Sequence, residues 1–178
     1  MPGNIKPRDS KKSFEKEGYF YAVPLWTRGF GAALVIRGGR GKDMFCGIFN
    51  RKFDQFPQSS EVQEFTKADL YFTGRVLHDG IYNGCWLEIA QCDRYSRDDW
   101  PLPFYRSLEM GDETTSSEEF ESIVKYDEFG KVIERLQIPA AEIDAYELPG
   151  YKGHWLLEKQ LTLYLEEGLP PELADMEI

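Results

Sequence analysis

Gly18-Tyr-Phe-Tyr-Ala-Val-Pro-Leu-Trp-Thr-Arg-Gly-Phe-Gly-Ala-Ala-Leu-Val-Ile-Arg37 is the stretch whose reading decides the fold. Its two halves are rich in aromatic and β-branched residues and flank a four-residue break, Trp26 to Gly29, so the local reading is strand, turn, strand. The two-residue period of a strand sends Tyr19, Tyr21 and Val23 to one side and Phe20, Ala22 and Pro24 to the other. Both sides are largely apolar, which fits a strand buried on two faces or one in a strongly curved sheet. Pro24 lacks a ladder donor and therefore belongs at a strand end or a bulge. Gly29, Gly31, Ala32 and Ala33 leave room for another backbone or a bulky ring to come close.

Outward from this hairpin, residues 1–17 are polar and without a sustained period, and read as an arm ahead of a single globular domain at 18–178. Met44–Asn50 reads as a third strand, Ser60–Phe65 as a short helix, and Leu70–Phe72 and Arg75–Leu77 as two short strands. Cys85–Cys92 is a stronger strand. In it Trp86 shares a face with Glu88, which predicts a partly exposed indole or a pocket wall. Phe120–Tyr126 and Lys131–Ile138 form a second hairpin around Asp127–Gly130. Near the end, Leu157, Leu161, Tyr164 and Leu165 fall at i, i+4, i+7 and i+8, with Leu156 and Leu163 widening the stripe, so a helix over 154–167 is expected. Gly168 followed by Pro170 and Pro171 stops it. The fold class is α+β and mainly β, a strongly bent, barrel-like antiparallel sheet with the C-terminal helix packed on it.

The formal net charge is −10, and it is unevenly placed: residues 1–108 balance at +3 and residues 109–178 at −13. Such an acidic second part repels nucleic acid and anionic membranes and attracts a basic partner. No apolar run approaches the roughly 20 residues that cross a bilayer. The start of the chain has no apolar signal-like segment, and Cys46, Cys85 and Cys92 are odd in number and widely spaced. Both features point to a reducing cytoplasm.

Catalytic chemistry has little to build on. Histidine occurs only at positions 78 and 154, neither at metal-ligand spacing from a cysteine, and Cys85 and Cys92 match no zinc pattern, so no metal, cofactor or catalytic residue is assigned. A thiol nucleophile would pair Cys46 or Cys85 with His78, against the commoner state of a buried strand cysteine. Gly38-Gly-Arg-Gly-Lys42 is followed by Asp43 rather than by the Ser/Thr and helix of a phosphate loop, so it reads as a turn. Arg37, Arg40, Lys42, Arg51 and Lys52 interleave with Phe45, Phe49, Phe53 and Phe56 and could form a stacking platform for single-stranded nucleic acid; core phenylalanines are the alternative, and the acidic charge favours it. Glu109–Glu121 holds six carboxylates and no basic residue. It is either a solvated loop or a binding segment in which Asp112, Glu113, Glu118, Glu119 and Glu121 present charge and Phe120 anchors; Trp86 is the further contact residue proposed.

Gly18–Leu25, Gly29–Ile36, Gly84-Cys-Trp-Leu-Glu-Ile89 and Pro101-Leu-Pro-Phe104, in that order, resemble the landmarks of the bacterial polymorphic-toxin immunity proteins of immunity protein family 26. The resemblance implies a mainly β, non-catalytic cytoplasmic antidote whose partner is a cognate toxin, with no nucleic acid or membrane partner and an oligomeric state left open. On that basis the expected function is neutralisation by occluding the active site of a basic, nuclease-like toxin. The competing readings are a nucleic-acid-binding β-barrel and a small enzyme.

Overall fold

The computed structural model describes residues 16–38, 43–107, 120–126, 131–145 and 152–168. They fall into two compact units, one before Trp100 and after Gly150, the other between them. The first is built on a five-stranded antiparallel sheet in the order β4-β3-β2-β1-β5, comprising β1 (Tyr19–Pro24), β2 (Phe30–Gly38), β3 (Asp43–Phe53), β4 (Leu70–Leu77) and β5 (Leu87–Gln91). Among the described residues three α-helices accompany it: α1 (Ser59–Val62), α2 (Asp79–Tyr82) and α3 (His154–Glu167).

β1 and β2 form the expected hairpin, with Phe20 opposite Leu34 and Pro24 closing the ladder opposite Phe30. The turn is shut by Leu25 N–H donating to Gly29 C=O at 3.1 Å. Gly29 holds φ at 88°, and a β-carbon there would lie 2.3 Å from the Phe53 carbonyl oxygen, so both the left-handed backbone and the approach of β3 require glycine. Gly31 serves the helix instead: a β-carbon on it would stand 2.5 Å from a Leu161 methyl.

Both faces of this sheet are covered, which is why the opening hairpin is apolar on two sides. On one face Tyr21, Val23, Ala33, Val35, Cys46, Ile48 and Val76 meet Leu157 and Leu161 of α3, with Ile81 and Trp86 completing the cluster. Each of the two leucines, taken from water to full burial, contributes about 1.5–3 kcal/mol. On the other face Phe20, Leu34 and Phe49 are buried, as is Val62 of α1. Phe65 lies flat on Phe49 with ring centroids 4.3 Å apart and meets Phe53 edge-on at 6.1 Å.

β4 runs unbroken for eight residues where two short strands were expected. Gly74 lies in the gap between the two expected strands, and there the Phe72 ring folds over it, within 2.3 Å of where a β-carbon would sit, and fills the space that the missing side chain leaves. The outer edge of β4 is capped by Lys152, whose N–H donates to Arg75 C=O and whose C=O accepts from Leu77 N–H, both at 3.0 Å. α3 starts two residues later and ends at Gly168 in the left-handed conformation, φ 71°.

The second unit is a three-stranded antiparallel sheet in the order β6-β7-β8, from β6 (Phe104–Arg106), β7 (Phe120–Tyr126) and β8 (Val132–Pro139). The second hairpin is thus present, its turn lying outside the described residues. Tyr105, Ile123, Val124 and Ile138 are its buried side chains. Lys125 Nζ bonds Glu134 at 2.7 Å across the β7–β8 pair and rests over the Phe104 ring. The barrel-like expectation is corrected: the described strands form two open antiparallel sheets, and β4 and β5, at the two edges of the larger one, do not pair.

Candidate functional site

Trp86 precedes β5 rather than lying inside it, so strand alternation does not set its direction. Its ring is 2% exposed and sits in the core cluster. The expectation of a partly exposed indole is therefore corrected, and Trp86 has no surface to offer a partner. Its Nε1–H donates to Glu158 Oε1 at 2.8 Å, and that carboxylate on α3 is itself 7% exposed. The indole satisfies a buried acceptor and ties α3 to the segment that opens β5. Beside them His154 Nδ1 lies 2.7 Å from Asp79 Oδ2, and a β-carbon on Gly80 would touch both the His154 side chain and the indole.

Burial pushes the Glu158 carboxyl above the usual carboxylate range, with Asp79 adding to it; the Trp86 hydrogen bond and His154 pull the other way without overcoming it. A carboxyl whose pKa is raised by folding binds more protons in the native state, so its contribution to stability falls as pH rises from the ordinary carboxylate value through the raised one. Glu158→Gln keeps an oxygen acceptor for the indole and removes the charge. Its urea midpoint is expected to exceed the parent's at pH 7, and the difference to vanish below about pH 4, where the parent carboxyl is protonated in both states. A lower midpoint for the variant at pH 7 would show that the charge itself is stabilising.

Neither Cys46 nor Cys85 is set up as a nucleophile. Cys46 is buried. Cys85 is exposed, but partial burial of its thiol and the nearby Glu158 and Asp79 carboxylates push its pKa up, away from the thiolate a nucleophile requires. The His78 ring stands edge-on to Tyr82 at 5.4 Å, in a turn leading into α2. Among the described residues no group of three or more His, Cys, Asp or Glu could hold a metal ion.

The aromatic residues of the basic segment also have structural work. Phe45, Phe49 and Phe53 are buried. Arg37 is buried too, and donates to Ile36 C=O, to the Tyr95 hydroxyl and to Arg97 C=O. Lys52 pairs with Glu166 at 2.6 Å and Arg51 lies over the Phe53 ring. Three of the four rings that a stacking platform would present are thus inside the protein, while Phe56 is exposed, edge-on to Phe30 with ring centroids 5.7 Å apart. Arg40 and Lys42 lie outside the described residues.

Of the binding residues read from the sequence, Asp112, Glu113, Glu118 and Glu119 lie outside the described residues. Phe120 and Glu121 open β7 opposite Pro139 and Ile138, and both are exposed, Phe120 at 45%. The structure adds surface groups that the sequence reading did not single out. Trp26 in the β1–β2 turn and Trp155 on α3 are in ring contact at 4.7 Å, yet both are exposed, Trp155 at 64%. Trp26 N–H donates to Thr162 Oγ1 at 3.0 Å, and Thr27 Oγ1 bonds Glu166, so the turn is strapped along the helix. Helical spacing was the available signal for Trp155, since it stands roughly 200° around the helix from Leu157. A second exposed apolar group, Val132, Ile133 and Leu136, lies on β8.

No curated protein and no solved structure matches the chain. The described residues hold no helix long and apolar enough to cross a membrane. The family model of immunity protein 26 matches residues 16–117, more than half of the chain and all five strands of the larger sheet. The chain belongs to the immunity protein 26 family, and is by that membership an immunity protein directed against a toxin.

Proposed function

We propose that the chain acts in the cytoplasm and neutralises its toxin without chemistry, by one-to-one binding that occludes a basic, nuclease-like active-site cleft. The observation that carries this reading is electrostatic. Residues 100–150 hold 4 Lys/Arg against 12 Asp/Glu, a balance of −8 in the sequence, and the same segment contains the exposed Phe120, Val132, Ile133 and Leu136. Asp112, Glu113, Glu118, Glu119 and Glu121 stand in for substrate phosphates, and Phe120 anchors the segment. Complementary charge accelerates encounter, while desolvated aromatic and aliphatic anchors slow release. Trp86 acts only from within, by holding α3 to the sheet.

The experiment is co-expression of the chain with toxic domains encoded beside it, to find the one whose toxicity it relieves. His78→Gln with His154→Gln is expected to leave that protection intact, because no proton transfer at histidine is involved. Loss of protection by the still-folded double variant would favour an enzymatic antidote.

A further inference from the structure

Glu158 enters the core from the second turn of α3, and among the described residues its carboxylate accepts one hydrogen bond, from the Trp86 indole. Asp79 on α2 is a second acid beside it, and His154, one turn back on α3, stands 2.7 Å from that acid. The Cys85 thiol lies near enough to both carboxylates to feel their charge. Other titratable groups of the neighbouring elements are engaged elsewhere. His78, ahead of α2, is set against Tyr82; Lys152, ahead of α3, is turned to Gln160 at 2.9 Å and to the Phe72 ring; Lys52 of β3 pairs with Glu166 at the far end of the helix. The strands beneath α3 bring Tyr21 and Cys46 to the same cluster.

Charge can therefore be counted. Two acids share one imidazole, so full ionisation leaves an excess negative charge in a place that Gly80, packed on both the His154 side chain and the indole, helps to close off from water. One proton removes the excess. Protonated, Glu158 still accepts from the indole through its carbonyl oxygen. Ionised, it is a buried charge with a single neutral donor, and it regains water only if this part of α3 lifts from α2 and Trp86. The later turns are fastened separately, by Trp26 N–H donating to Thr162 and by Leu161 lying over Gly31. Lifting the first two turns therefore leaves the sheet intact.

We propose that Glu158, Trp86, His154 and Asp79 form a proton-controlled latch: with one proton bound, the first two turns of α3 are closed on the sheet, and when it leaves they open locally. Burial pushes the Glu158 carboxyl up. A closed site that binds its proton more tightly than the opened one releases it on opening, so opening is favoured as pH rises above the ordinary carboxylate range. Trp155 lies in the first turn and leaves its contact with Trp26 when the latch opens, so proton binding fixes the placement of the exposed tryptophan pair.

The test is native-state amide exchange on the full chain at about pH 5–8, corrected for the chemical exchange rate, for the parent, Glu158→Gln and His154→Gln. In the parent, amides of 157–160 are expected to exchange at least about tenfold faster than those of 33–35 in β2, with little dependence on urea, and to speed up by as much as about tenfold per pH unit. Glu158→Gln is expected to remove the pH dependence. His154→Gln is expected to keep it and extend it to higher pH, because the carboxylate has lost a neighbour that favours its charge. Helix and strand amides that exchange alike, with the same urea dependence, would show that no local opening exists, and this comparison needs no variant. A pH response unchanged in Glu158→Gln, or abolished in His154→Gln, would show that another group holds the proton. Either result overturns the inference.

Discussion

Leu161→Ala is expected to destabilise the chain by about 2–5 kcal/mol, the range for emptying a well-packed leucine site. Leu161 is fully buried between α3 and the sheet, and its methyl lies over Gly31, the position on β2 that has no side chain with which to follow the retreat. The cavity would therefore stay open, which places the cost in the upper part of the range. Urea unfolding measures it. A midpoint equal to the parent's would mean that α3 is not docked on the hairpin face.

The second large effect concerns binding. Changing Asp112, Glu113, Glu118 and Glu119 together to Asn or Gln keeps shape and removes four charges. If these groups are desolvated against a basic cleft, each close pair couples by about 1.5–7 kcal/mol, whereas rim pairs contribute little and mainly change the association rate. Affinity for the toxic domain is then expected to fall steeply and its dependence on salt to flatten, because the screened interactions are gone. Unaltered affinity and an unaltered salt response in a folded variant would reduce the acidic run to a solvating tether.

The parts of the fold governed by local period were legible in the sequence. Alternation along Tyr19–Pro24 gives the two buried faces, since Tyr21 and Val23 join the α3 cluster while Phe20 meets Phe49 and Phe65. The leucine spacing gives α3 and its stop at Gly168. What the sequence hid depends on groups far apart in the chain. Trp86 was assigned a face by strand parity, but β5 begins at Leu87 and the indole is turned inward to Glu158, 72 residues away. Closure into a barrel was unreadable for the same reason, since the outer edge of β4 is taken by Lys152. Of the residues read as a binding segment, Phe120 and Glu121 are exposed, while the Trp26–Trp155 contact joins two tryptophans that no local pattern links.

The most direct measurement is a titration of the purified toxic domain's own activity with this chain at toxin concentrations well above the dissociation constant. Occlusion by binding predicts that activity falls linearly and reaches zero at one equivalent, and that active toxin is recovered when the complex is dissociated and refolded. Complete inactivation by a small fraction of an equivalent, or recovered toxin that is covalently altered, would contradict a non-catalytic, one-to-one antidote.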